Sequence, residues 1–316
     1  MKKRSFLIGT GLVLLVIAIS IIAMIKGPDE KKAMGHAEAT SNQAVKPVDW
    51  GTVEQVFGRK GTVDNDVLKV SFPREDLKVS VGEVPIEPGF ALTSWVAFKP
   101  VKDGVMVMGD LVLLQSELPA VLSELTKVHI DVTAIHNHLT TESPAITYVH
   151  YEGQGEAVKL VQQMKAVLSV TKTPFELQQT QVQSETPGWS KVEAILGYKG
   201  KAKGKVIGFT VPRQEKITEM DGTVIPPFMG TATAINFQAV GQKAAITGDF
   251  VLLANEVPSV QRALTKNGIT VTAIHSHMLH ESPKLYFMHF WSLGNSEDLA
   301  KGLKAALEQT NVEKPK

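Results

Sequence analysis

The chain is written twice. From His136-Asn137-His138 to His275-Ser276-His277 the offset is 139 residues, and the same offset carries Glu142 to Glu281 and His150 to His289. It also relates Gly58 to Gly197, Lys60-Gly61 to Lys199-Gly200, Pro73-Arg74 to Pro212-Arg213, Gly109-Asp110 to Gly248-Asp249 and Ser143-Pro144 to Ser282-Pro283, without a gap. Solenoid repeats recur every ~20–50 residues. A longer period means that a whole domain is duplicated, and any fold proposed for one copy must serve the other. The copies run over residues 50–170 and 189–311. A linker at 171–188, with Pro174, a Gln-rich patch and Pro187-Gly188, separates them, and a short tail, 312–316, follows.

Within a copy the hydrophobic pattern is readable. Residues 94–100 and 105–114 are Val-, Met-, Phe- and Leu-rich around Lys102-Asp103-Gly104, which predicts strand, turn, strand. Ser116 is placed to cap a helix reaching Lys127, with Val121, Leu122 and Leu125 on its apolar stripe. Strands are expected at 130–139 and 145–151, then a helix over 156–169. The order β-β-α-β-β-α predicts an α+β fold: each repeat a mostly antiparallel sheet with two helices packed on one face, containing a ferredoxin-like β-α-β-β-α core. Residues 50–90, broken by several Pro and Gly, carry no firm assignment. The two repeats are expected to pack on each other.

Composition narrows the chemistry. With 43% hydrophobic and 21% charged residues in 316, the chain can bury cores. A net charge of +1 gives no electrostatic basis for binding nucleic acid. The absence of cysteine excludes disulfides, thiolate ligands, a cysteine nucleophile and lipid attachment through a thiol. At the N-terminus, Lys2, Lys3 and Arg4 precede an uncharged apolar run over residues 6–25. About 20 residues at ~1.5 Å each span a bilayer core of ~30 Å. Residues 1–26 are therefore expected to form a single transmembrane anchor. The basic flank would stay cytoplasmic and the rest of the chain would lie outside a bacterial cell membrane. The alternative is a cleaved signal peptide, for which Ala18-Ile19-Ser20 offers a small-x-small site. Residues 27–49 read as a flexible stalk, and His36 within it as solvated.

The repeated His-x-His-x3-Glu-x7-His string carries the chemistry. Alternation along a strand puts His136 and His138 on one face, and His150 is expected directly opposite His136 across an antiparallel pair. His136, His138, His150 and Glu142 in one copy, and His275, His277, His289 and Glu281 in the other, form ligand sets suited to a divalent transition metal: Zn, Mn, Fe, Ni or Cu. Glu142 and Glu281 are alternatively general bases beside metal-bound water. His280, where the first copy has Thr141, is a possible additional ligand. Against this stands a structural reading, in which the histidines are hydrogen-bonded core residues of a partly apolar sheet face. Asp110 and Asp249 are expected at a bulge or strand end, bonding their own backbone, with a carboxylate supporting a ligand histidine as the alternative. Arg74 and Arg213 are expected in surface salt bridges, and Trp95, Trp189 and Trp291 in core or interface.

The strings GDLVLLQSELPAVLSEL, VTAIHNHLTTESPAITYVHYEG and their second copies resemble the LppY/LpqO family, a domain family of unknown function in bacterial envelope proteins. The resemblance covers most of residues 50–311 and implies an extracytoplasmic protein without supplying a reaction. The His-x-His-x3-Glu segment also resembles the first cupin motif. However, Ile130 and Ile269 stand where cupins need glycine, and the helical patterns disagree with a jelly roll. Three functions remain: a metal-binding envelope protein, a metal-dependent hydrolase acting on an envelope substrate, and a non-catalytic binding or scaffold module.

Overall fold

A computed structural model describes residues 45–176 and 188–315. The expected anchor over residues 6–25 and most of the stalk lie outside the described residues. Among those described, no helix is long and apolar enough to cross a membrane.

The first repeat runs α1 (Trp50–Phe57), β1 (Thr62–Asp64), β2 (Val67–Pro73), β3 (Ser80–Val81), β4 (Val84–Pro85), α2 (Pro88–Ala91), β5 (Thr93–Val101), β6 (Gly104–Leu114), α3 (Leu118–Lys127), β7 (Asp131–His136), β8 (Glu142–Ser143), β9 (Ile146–Gly155) and α4 (Ala157–Ser169). The second runs α5 (Ser190–Leu196), β10 (Lys201–Lys203), β11 (Val206–Val211), a 3-10 turn at Pro227–Met229, β12 (Thr233–Val240), β13 (Lys243–Leu252), α6 (Val257–Lys266), β14 (Thr270–His275), β15 (Tyr286–Gly294) and α7 (Ser296–Leu307). Each repeat builds a six-stranded antiparallel sheet, in the orders β1-β2-β5-β6-β9-β7 and β10-β11-β12-β13-β15-β14. β3, β4 and β8 form a small sheet of their own. The α+β reading holds, and β9 lies between β6 and β7, the two strands that α3 joins in sequence. This is the split β-α-β of the expected core.

Three helices, not two, cover the outer face of each sheet. α1, in the segment left unassigned, starts at Asp49, whose carboxylate accepts from the Gly51 N–H, and stops at Gly58 in the left-handed region. It buries Val53 and Phe57 in the core shared with Val161, Met164 and Val167 of α4. α3 begins at Leu118 with Glu117, not Ser116, at its N-cap position and no side-chain cap; the Glu117 carboxylate accepts from Arg74.

The inner faces of the two sheets meet, giving four layers: helices, sheet, sheet, helices. This explains why β6 is buried along nearly its whole length and reads as a continuous apolar run. Two shared cores seal the junction. Met106 and Met108 pack with Ile217, Ile225, Met229 and Phe287, while Phe90, Leu92, Val112 and Tyr148 pack with Val206 and Ala245. Each repeat also lends a strap to the other. Gln238 accepts from the Glu87 N–H and donates to the Pro85 carbonyl, Asn236 donates to the Phe90 carbonyl, and Lys69 donates to the Phe228 carbonyl. The expected packing of repeat on repeat is thus interlocked.

The arginines correct the sequence reading. Arg74 is fully buried, forked onto Glu117 and Asp76 and donating to the Val112 carbonyl; Arg213 repeats this with Glu256, Glu215 and the Val251 carbonyl. They brace the sheet to the first turn of α3 and of α6. The ends of the repeats are also packed: Phe175 stacks edge-on against Phe72, and Val312 bridges to Arg213.

Candidate metal centre

His136 ends β7, His138 lies two residues beyond it and His150 is on β9; in the second repeat His275 ends β14, His277 lies two residues beyond it and His289 is on β15, so the strand expected over 130–139 stops at His136. Because the sheets meet face to face, the two sets come together. Ring centroids of His136 and His275 lie 3.6 Å apart, those of His138 and His289 3.8 Å, and those of His150 and His277 3.7 Å. Each of these three contacts crosses between repeats. The sequence leaves open whether the two sets are separate, and the structure makes them one cluster about the axis relating the copies. Tyr148 stacks on His138 at 3.3 Å and its counterpart Phe287 on His277 at 3.5 Å, fixing the rings from outside.

The register differs from the expected one. His136 pairs with Tyr148, and His150 pairs with Ala134, two residues from the expected register; β7 also carries a one-residue irregularity between Val132 and Ala134. A shift of two residues keeps the side chains on the same face, so the cluster survives. β14 shows the same irregularity between Val271 and Ala273.

The carboxylates at the centre are Asp110 and Asp249. They sit directly across from His150 and His289 on β6 and β13. Asp110 lies 3.9 Å from the Nε2 atoms of both His138 and His150, and Asp249 lies 3.3 Å from His277 Nε2 and 3.9 Å from His289 Nε2. This corrects the strand-end reading, since both lie inside a ladder and face the histidines. Gly109 and Gly248 precede them because a Cβ there would collide with the Trp95 carbonyl and Tyr151 hydroxyl, or with the Ala234 carbonyl. The sequence signal was available in the strings MGDLVLL and TGDFVLL, where a charge interrupts a strand buried on both faces.

Glu142 and Glu281 lie elsewhere. Each uses Oε1 to accept the N–H four residues on, from Ile146 at 3.3 Å and Leu285 at 2.9 Å, and so braces the turn into the next strand. Glu281 also accepts from Lys284. Neither joins any of the groups whose ligand atoms lie within 4.8 Å of one another among the described residues, and neither does the exposed His280.

Four such groups exist: His136 with His150, His275 and His277; His136 with His138 and His289; Asp110 with His138 and His150; and Asp249 with His277 and His289. The residues suit a metal by a direct criterion. The Nε2 atoms of all six histidines, with Asp110 Oδ1 and Asp249 Oδ1, are buried and have no hydrogen-bond partner. Buried polar atoms are nearly always paired, and each orphan costs roughly 1–3 kcal/mol. Eight converging orphans are ligand atoms that a divalent ion would satisfy. His289 Nδ1 donates to the Gly248 carbonyl at 2.8 Å, leaving Nε2 as the free ligand atom.

The electrostatics agree. Burial lowers all six histidines, His136 to about 4 and His289 to about 3, with neighbouring imidazoles adding to the effect at all but His136, so the rings are neutral and able to ligate. Burial lifts the Asp110 carboxyl to about 8 and Asp249 well above the carboxylate range. A cavity of about 250 Å³ adjoins the cluster, reached by Asp110, Asp249, His138, His150, His277 and His289.

Fold and centre together define a duplicated α+β protein with a histidine–carboxylate cluster shared between its halves. The chain belongs to the family described as Domain of Unknown Function (DUF1259), which matches residues 51–170 and again 190–309. No curated protein matches it in sequence. Among solved structures it is similar to the trimeric bacterial microcompartment shell protein PduB, at 11% identity and TM-score 0.23 over 81% of this chain and 96% of that one. It is also similar to an unknown protein from Galdieria sulphuraria, at 8% identity and TM-score 0.17 over 66% and 93%. Likenesses at these scores carry no argument about this chain.

Proposed function

We propose that the protein binds divalent transition metal at the shared centre, through His136, His138, His150, His275, His277 and His289 with Asp110 and Asp249. The observation that carries this reading is the convergence of eight buried ligand atoms without hydrogen-bond partners. Imidazole and carboxylate without thiolate suit Zn, Mn, Fe, Ni or Cu. The apolar run at residues 6–25 supports anchoring in a bacterial cell membrane with the repeats outside, as does the resemblance to the LppY/LpqO family.

A second reading, metal-dependent hydrolysis of an envelope substrate, is favoured by the cavity beside the cluster, since a catalytic metal needs an open position. There the metal would supply an activated water. This chain's own contribution would be to hold neutral imidazoles by backbone bonds such as His289 to Gly248 and to keep bulk water out by the packing of Tyr148 and Phe287.

The test is elemental analysis of the purified chain after dialysis. Wild type is expected to retain a divalent metal, and His136→Ala with His275→Ala to lose it while the far-UV circular dichroism stays unchanged. A wild type with no metal above background rejects both readings. A hydrolase screen on loaded protein, with the double variant as control, then separates binder from enzyme.

A further inference from the structure

The two halves differ in the wall of the cavity. Lys69 on β2 points from the inner face of its sheet into the cavity, and its counterpart by the 139-residue offset is Gly208. Likewise Trp95 in the cavity wall answers to Ala234, and Asn236 answers to Ala97. The ligand histidines obey the twofold relation, and the cavity does not. A cavity that served only to house metal would have no reason to differ between halves.

Lys69 is costly where it stands. Its side chain is half-buried, and burial lowers the ammonium to about 8. The compensation is partial: Nζ lies 3.8 Å from the Trp95 ring centroid and 5.5 Å from that of Phe228, and donates to the Phe228 carbonyl at 3.3 Å. That is one acceptor for a group with three donors. Among the described residues no carboxylate comes within 4.0 Å of it, although Asp110 lies in the same cavity. With a divalent ion at the centre and both aspartates ionised, those charges cancel and the ammonium stands uncompensated.

We infer that the cavity is a subsite for a small monocarboxylate, its charged head on Lys69 and its body against Phe90 and Trp95, within reach of the histidine–aspartate centre. The inference rests on the metal reading for what the ligand faces, and on Lys69 alone for what it binds. One ammonium balances one negative charge, which suits a carboxylate better than a phosphate dianion. The walls formed by Phe90, Ala91, Trp95, Ala232 and Ala234 suit an apolar body. Size agrees: an apolar cavity of about 150 Å³ holds benzene, so about 250 Å³ accommodates benzoate.

The experiment is calorimetric titration of the full chain with benzoate, with its neutral isostere benzamide and with inorganic phosphate, on loaded and on chelator-stripped protein. Benzoate is expected to bind saturably and benzamide about tenfold to a hundredfold more weakly, the range for losing a charge-assisted hydrogen bond. Lys69→Met is expected to weaken benzoate to the level of benzamide while its metal content matches wild type. The benzamide comparison uses unaltered protein, so it stands even if that variant fails to fold. Equal binding of benzoate and benzamide, phosphate binding in place of benzoate, or full benzoate affinity in Lys69→Met overturns the proposal. Metal retention without benzoate binding rejects the subsite alone. Lys69-dependent benzoate binding in a wild type that retains no metal rejects the metal reading alone.

Discussion

Loading the centre with a divalent ion is expected to release two protons. In the metal-free protein burial holds the Asp110 carboxyl at about 8, so between about pH 5.5 and 7 it is protonated, and burial beside Asp110 raises the Asp249 carboxyl in the same direction. The histidines are neutral over the same range, with His136 at about 4, His289 at about 3 and the other four also depressed. A metal takes neutral imidazoles without proton release, and carboxylates only after deprotonation. Each released proton is worth ~1.4 kcal/mol per pH unit. Two make ~2.7 kcal/mol, so affinity rises about a hundredfold per pH unit, flattening as pH approaches the Asp110 value. The signs for folding follow the same groups. Stability from the depressed histidines is present above their ordinary value of ~6.5 and lost as pH falls below it, while the raised carboxyls favour the fold at low pH and lose that contribution as pH rises toward 8. The metal-free protein is squeezed from both sides, and metal removes the alkaline limb. Metal titration by calorimetry in two buffers of different ionisation enthalpy counts the protons directly. Asp110→Asn is expected to release one. Release of none refutes the aspartates as ligands, and release of more than two refutes the neutral histidines.

Two further outcomes test the scaffold. Arg74→Met leaves the half-buried Glu117 without its fork and is expected to cost ~1.5–3 kcal/mol, read as a lower urea midpoint, and Arg213→Met, which strands the buried Glu256, ~3–5 kcal/mol. Gly248→Ala places a methyl against the Ala234 carbonyl and the Phe290 ring, so overpacking is expected to cost at least ~1–3 kcal/mol and to displace Asp249. Thermal unfolding and metal content are expected to fall together in that variant, whereas Gly241→Ala, at an exposed turn, lowers stability and leaves metal content unchanged.

Local order was legible in the chain, and spatial partnership was not. The alternating and 3.6-residue patterns place β5, β6, α3, β9 and α4 within a few residues of their observed bounds, because those segments bury one regular face each. The histidines were found because duplication repeats them. Asp110 was misread because a carboxylate inside a buried strand and one at a strand end look alike in sequence. Only the cross-strand position of His150 separates the two. The pairing of His136 with Tyr148, two residues from the expected register, and the irregularity at Thr133 leave no compositional mark. Residues 75–92 read as irregular because their partners, Val206, Asn236, Gln238 and Ala245, lie in the other repeat. A segment whose apolar residues face another domain has no period of its own to show.

The shared centre accounts for the repetition of the motif. In a duplicated protein with two independent sites, one copy can lose its ligands while the other works on. Here both histidine-only groups draw on both repeats: His136 and His138 meet His289, and His275 and His277 meet His136 and His150, whereas Asp110 with His138 and His150, and Asp249 with His277 and His289, each lie within one repeat. Losing either histidine set breaks both shared groups and leaves only the other repeat's aspartate–dihistidine group. Away from the axis that constraint lapses, and there Lys69 faces Gly208, Trp95 faces Ala234 and Ala97 faces Asn236 across the twofold relation. Symmetry is kept where ligand atoms must converge and given up where the cavity needs one charge and one aromatic wall. That contrast is what the proposed metal centre on the axis and the proposed subsite beside it would require.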